Sequence, residues 1–172
     1  WKAGKPRPDG KFSKVRIHPT KDHKINGNDP ANHMSFEDAR RAYQSGRGSG
    51  IGIALTDEPA TMVDGALLWL VALDFDNCTD EAPEAKEVWK KLGKPYCEVS
   101  PSGKGIRMFA LSRERIKGGN AHGREMYARG RFMTVTGNAG KGKLLDATEG
   151  LLELEREWFP EKPPHQPKTS DL

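Results

Sequence analysis

The longest apolar run in the chain, Ala66-Leu67-Leu68-Trp69-Leu70-Val71-Ala72-Leu73, continues without alternation up to Asp74-Phe75-Asp76. A strand that is apolar at consecutive positions is covered on both faces, so this run predicts a central strand over Leu67 to Phe75. Around it the pattern switches between periods of two and three to four. Ser35 followed by Phe36-Glu37-Asp38 reads as an N-cap with acid in the first turn, opening a helix to about Gln44 before Gly46. Ile51 to Leu55 predicts a strand and residues 56 to 64 a turn. A second helix spans Glu81 to Leu92 and stops at Gly93. Tyr96 to Ser100 and Ile106 to Leu111 flank Ser102-Gly103-Lys104-Gly105 and predict a hairpin. Residues 117 to 123 read as a glycine-rich loop. Arg124 to Tyr127 and Phe132 to Thr136 predict a second hairpin around Ala128 to Arg131, followed by a basic glycine loop from Gly137 to Lys143. A last helix fits Glu149 to Trp158.

The N-terminal third is weaker in pattern. Residues 1 to 33 are polar and rich in Gly, Pro and Asn, with one short strand near Lys14 to Ile17. Residues 160 to 172 hold Pro160, Pro163, Pro164 and Pro167 and read as a linker. The chain opens at Trp1 rather than Met, which reads as a piece of a longer protein. The expected organisation is one α+β domain over residues 1–159, mostly antiparallel, then a proline-rich linker over 160–172 leading to a missing C-terminal module.

Composition narrows the function classes. The chain has 172 residues, 35% hydrophobic and 30% charged, with a formal net charge of +4. No run approaches the roughly 18 apolar residues of a membrane helix. Two cysteines, Cys78 and Cys97, make neither a disulfide framework nor a four-ligand zinc site, and they suit the reducing cytoplasm. The charge is unevenly placed. Residues 1 to 24 hold eight Lys or Arg against two Asp, and residues 103 to 143 hold ten against two Glu. Residues 74 to 98 reverse the sign, with seven acids against four Lys. An acidic centre between basic flanks suits a phosphate-bearing ligand held around metal ions.

The candidate chemistry sits in that centre. Asp74 and Asp76 share one face of a strand, about 7 Å apart, with Phe75 on the other. Two carboxylates so placed can share hard cations such as Mg²⁺ or Mn²⁺. A strand ending in two solvated acids would show the same three residues. Glu125 is the third candidate ligand, with Glu98 as its competitor. Downstream, Ser100-Pro101-Ser102-Gly103-Lys104-Gly105-Ile106-Arg107 combines hydroxyls, glycines that let backbone N–H groups approach an anion, and two cations. It lacks the spacing of a Walker A loop. Arg129 and Arg131 follow on the next turn.

Taken in order, these motifs resemble the primase-polymerase domain of the archaeo-eukaryotic primase superfamily, most closely the versions in phage and plasmid primase-helicase proteins. The resemblance covers roughly residues 1 to 150. It implies an RRM-like antiparallel sheet with a smaller flanking α+β unit. It also implies a DNA primase or polymerase that carries out template-directed nucleotidyl transfer in replication of a mobile element. Two divalent cations, Mg²⁺ or Mn²⁺, would lie on Asp74, Asp76 and Glu125. The nucleoside triphosphate would lie on Ser100, Ser102, Gly103, Lys104, Arg107 and Arg131. Single-stranded or primer-template DNA is the implied partner, with a helicase module in the full-length chain. Two departures stand out: Arg107 occupies the position where the superfamily usually has His, and Glu125 replaces the commoner Asp. A metal-dependent nuclease and a non-catalytic replication-initiator module are the alternatives from other classes.

Overall fold

Covering both faces of one long strand takes a layer on each side, and the chain supplies two different ones. A computed structural model describes residues 1–9, 11–18, 20, 23–76, 78, 83–121 and 123–161. In chain order the elements are β1 (Lys2–Pro6), β2 (Phe12–Val15), α1 (Phe36–Gln44), β3 (Ile51–Leu55), β4 (Thr61–Val63) and β5 (Ala66–Phe75). They continue with α2 (Pro83–Lys91), β6 (Tyr96–Val99), β7 (Ile106–Ser112), β8 (Gly119–Ala121), β9 (Arg124–Tyr127), β10 (Arg131–Val135) and α3 (Thr148–Trp158). The fold is α+β, as expected, and every pairing between these strands is antiparallel.

The main sheet runs in the order β6-β7-β5-β9-β8, with β4 pairing the first half of β5. β5 is thus central. On one face Val71, Leu73 and Phe75 pack with Met108, Ala110 and Met126 against Val88 and Leu92 at α2 and against Leu151, Leu154 and Trp158 of α3. Phe75 meets Trp158 edge-on at 5.8 Å between ring centroids. On the other face Ala72 and Phe109 pack against Leu55 of β3 and Met133 of β10. Each fully buried Leu or Val contributes about 1.5–3 kcal/mol. The two layers explain why the strand lacks alternation. They also set where polarity begins: Asp74 follows Ala72 on the face covered by β3 and β10.

Local signals behave as their chemistry dictates. Ser35 caps α1 by accepting from the Asp38 N–H at 3.1 Å, and α2 ends before Gly93 at φ +76°. The β6–β7 hairpin forms as expected, with Tyr96 opposite Phe109 and Val99 opposite Ile106. Residues 81 and 82, expected to open the second helix, lie outside the described residues, as does the expected linker from residue 162 onward.

Three expectations need correction. The second hairpin does not exist, because β9 pairs with β5 and β8 while β10 pairs with β3 in a separate two-stranded sheet. The two strands bury residues in different layers, Met126 toward the helices and Met133 toward Phe109. Gly130, at φ +64°, donates its N–H to the Leu55 carbonyl at 2.9 Å and so carries the chain onto β3. Residues 117 to 123 are not wholly loop, since β8 pairs with β9. Residues 56 to 64 include β4, which pairs with β5. Strand β1 was also missed. Its partner β2, running from Phe12 to Val15, begins and ends two residues before the strand expected near Lys14 to Ile17.

Candidate active site

Register aligns the candidate residues into one row across the sheet. Glu98 of β6 is opposite Arg107 of β7, Arg107 opposite Asp74 of β5, Asp74 opposite Glu125 of β9, and Glu125 opposite Asn120 of β8. Directly opposed residues project to the same face with Cβ atoms about 4.5–5.5 Å apart. Asp76 lies just beyond the last paired residue of β5 and is more exposed than Asp74.

Arg107 is 2% exposed. It donates from Nη2 to Asp74 Oδ2 at 2.8 Å, and from Nη1 to the Thr134 carbonyl at 2.5 Å and Oγ1 at 2.6 Å. One guanidinium therefore joins the main sheet to β10 and fixes the Asp74 carboxylate. Its Nε is buried and has no hydrogen-bond partner among the described residues. Arg107 thus stands beside Asp74 inside the fold rather than on an open surface.

Glu98, at 2% exposure, accepts from the Tyr96 hydroxyl at 2.9 Å, from Thr136 N–H at 3.0 and 3.1 Å, and from Gly137 N–H at 2.9 Å. Its carboxylate clamps the turn that leaves β10. Burial first, and then the hydrogen bond to Glu98, push the Tyr96 phenol up to about 12.

Glu125 accepts from Asn120 Nδ2 at 2.5 Å. Burial pushes its carboxyl up from the ordinary range, and the charge of Asp74 adds to this. Arg131 pulls the other way, and Asp76 raises it further. Glu125 therefore feels both Asp74 and Asp76. Among the described residues the side chains as placed do not gather three His, Cys, Asp or Glu groups onto one point. Asp74 and Asp76 are instead engaged by Arg107 and Lys11. Carboxylate oxygens are the donors that a hard divalent cation takes, and Asp74 and Glu125 share the register. Arg131 lies over the Tyr127 ring at 4.2 Å and donates to the Tyr127 hydroxyl at 2.8 Å, two residues from Glu125.

The glycine turn abuts the end of β5. Ser100 and Ser102 hydroxyls are 3.1 Å apart, and Gly103 donates its N–H to the Ser100 carbonyl at 2.9 Å. The Cys78 N–H donates to the Lys104 carbonyl at 2.9 Å. A Cβ on Gly105 would lie 2.7 Å from the Phe75 carbonyl oxygen, so only glycine lets the turn sit this close to the acids. Gly103 has φ +71° and open space around it.

Two further cations that were not among the expected site residues emerge from the fold. Lys11 places Nζ 3.0 Å from Asp76 Oδ1. Lys14 has its pKa lowered by burial and then by Arg107, while Asp74 and Asp76 oppose the shift. Lys104 donates to the Asp9 carbonyl at 3.2 Å, tying the β1–β2 turn to the glycine turn. The basic bias of residues 1 to 24 was the only sequence signal for this placement. The structure thus brings Asp74, Asp76, Glu125, Arg107, Arg131, the glycine turn and these lysines into one region. No helix among the described residues is long and apolar enough to cross a membrane.

No protein-family model matches the chain. It is 24% identical over 169 residues, 92% of its own length, to a DNA primase-polymerase of Nitratiruptor phage NrS-1. The chain spans 22% of that relative's length.

Proposed function

We propose that this chain is the catalytic domain of a primase-polymerase that performs template-directed nucleotidyl transfer. The observation that carries the reading is the sheet row itself. Asp74 and Glu125 are directly opposed, Asp76 lies two residues on, and the glycine turn closes over the same strand end. Similarity along nearly the whole chain to a DNA primase-polymerase supports it.

Asp74, Asp76 and Glu125 would hold divalent cations, Mg²⁺ or Mn²⁺, which supply Lewis-acid charge for phosphoryl oxygens when bound. The remaining chemistry belongs to the chain. The hydroxyls of Ser100 and Ser102, the backbone N–H groups around Gly103 and the Lys104 ammonium are donors suited to a triphosphate. Lys11 and Lys14 add positive charge beside the acids. Arg131 stands beside Glu125 and reaches the same region. Arg107 is a positioning residue for Asp74 and adds charge beside the phosphates. The primer 3′-oxygen forms a bond to the α-phosphorus in line with the departing pyrophosphate. Rate comes from alignment and charge neutralisation. The basic β1–β2 segment and the Gly137 to Lys143 loop would follow the template backbone. A helicase module in the same full-length protein belongs to this reading.

A labelled primer-template incubated with the protein, Mn²⁺ and deoxynucleoside triphosphates tests it. The expected product is an extended primer. Shortened primer without extension would instead establish the nuclease alternative. Neither extension nor cleavage, with binding retained, would favour a non-catalytic replication-initiator module.

A further inference from the structure

On the side of β3 and β10 toward α1 lies a cavity of about 500 Å³, distinct from the carboxylate row and within the size range of small-ligand sites. Its rings come from Trp1, Phe36, Tyr43 and Phe132 together with the His33 imidazole, its cations from Arg16 and from Arg47, which donates to the Thr20 carbonyl at 3.3 Å, and among the described residues no Asp or Glu lines it. Two of the rings lie against glycine. A Cβ on Gly50 would come within 2.9 Å of the Trp1 indole, and one on Gly52 within 2.5 Å of the Phe132 ring. The indole is further fixed by its Nε1 donating to the Ile51 carbonyl at 3.0 Å and by stacking on Phe12 at 6.0 Å. The aromatic walls are therefore held in place before any ligand arrives. Tyr43 and Phe36 are 48% and 65% exposed.

Arg16 lies over Phe132, 5.6 Å from its ring centroid. Its Nε is buried and without a hydrogen-bond partner among the described residues. A donor left in that state marks a place where an acceptor is wanted. The strands that line the cavity also carry residues of the acidic site. Arg16 lies two residues beyond Lys14, which senses Asp74 and Asp76, and Phe132 lies two residues before Thr134, which holds Arg107.

We propose that this cavity receives one unpaired nucleobase of single-stranded DNA, stacked on the aromatic walls, with Arg16 toward the flanking phosphate. The inference rests on the reading of the chain as a polymerase domain and names where its template strand is gripped. Fixed aromatic faces beside cations are the recurring means of holding single strands without reading sequence. A paired base cannot enter a pocket, so the site selects single-stranded over duplex DNA. An apolar peptide would fill the rings but leave the buried Arg16 Nε without an acceptor.

Anisotropy of a labelled oligothymidylate of about a dozen nucleotides, measured without metal or nucleotide, tests the site independently of whether the chain polymerises. Tyr43→Ala, an exposed helix-face change, is expected to weaken binding about 5- to 150-fold with the circular-dichroism spectrum unchanged. Phe132→Leu should weaken it in the same range. Arg16→Gln should reduce the salt dependence of log K by about 0.7. Moving a single abasic residue along the oligonucleotide should reveal one position where affinity drops, and Tyr43→Ala should erase that position's preference. A flat abasic scan, or unchanged affinity in Tyr43→Ala and Phe132→Leu, would overturn the proposal. So would thymidine monophosphate competing at the affinity of the strand.

Discussion

Replacing Arg107 with Met removes the guanidinium while keeping a flexible stem of similar length, so it isolates the polar role of the side chain. Three hydrogen bonds disappear, one to Asp74 and two to Thr134. Arg107 and Asp74 side chains are only 3% and 19% exposed, so water cannot fully replace the lost partner. Breaking a buried pair from one side costs about 3–5 kcal/mol. Two effects reduce this. Asp74 keeps some solvent, and the orphaned Nε no longer has to be buried, which returns on the order of 1 kcal/mol. The expected loss is about 3 kcal/mol at neutral pH, or about 6–12 °C in Tm for a domain of this size. Urea unfolding followed by circular dichroism measures it. In a double-mutant cycle with Asp74→Asn, the two changes should be coupled by on the order of 1–2 kcal/mol, because each removes the other's partner. A loss below about 1 kcal/mol with an unchanged m-value, or strictly additive effects, would refute the reasoning. Arg107 would then not be the clasp between the main sheet and β10.

Other changes probe neighbouring features. Glu98→Gln should move the Tyr96 titration, read by ultraviolet absorbance, from about 12 part of the way back toward 10, because burial keeps its share of the shift. In the unaltered protein the raised phenol pKa means that the neutral form is held more tightly when folded. The associated stability is full below pH 10 and is lost as pH rises through about 12, which urea unfolding against pH detects. Gly105→Ala should cost about 1–3 kcal/mol, since its Cβ meets the Phe75 carbonyl, and should raise the KM for nucleotide. Gly103→Ala meets nothing and should cost only the left-handed backbone penalty of about 1–2 kcal/mol. Leu154→Ala, in the layer of α3 beneath β5, should cost about 2–5 kcal/mol in the same unfolding assay.

The elements whose signal is local were legible in the sequence. Ser35 with its acids, Gly93 after α2 and the Ser100 to Gly105 turn each carry their own punctuation, and β5 announces its double cover by lacking alternation. The misread parts depend on partners far away in the chain. Nothing in Ala128 to Arg131 says that β10 will prefer β3, 80 residues earlier, over its neighbour β9. The choice is made by which layer Met126 and Met133 bury. The same holds in the site. Asp74, Glu125 and the glycine turn were visible as residue types. The burial of Arg107 against Thr134 and the approach of Lys11 to Asp76 required the β3–β10 sheet and the β1–β2 hairpin to be placed first.

Single-nucleotide incorporation tests the central claim most directly. A primer-template with a defined next template base is given one deoxynucleoside triphosphate at a time with Mn²⁺, using the unaltered protein and folded Asp74→Asn and Glu125→Gln variants. The account predicts that the unaltered protein adds the complementary nucleotide in preference to the other three. It also predicts that each variant loses incorporation by about 100-fold or more while still binding DNA. Full incorporation by both variants, or addition indifferent to the template base, would contradict it.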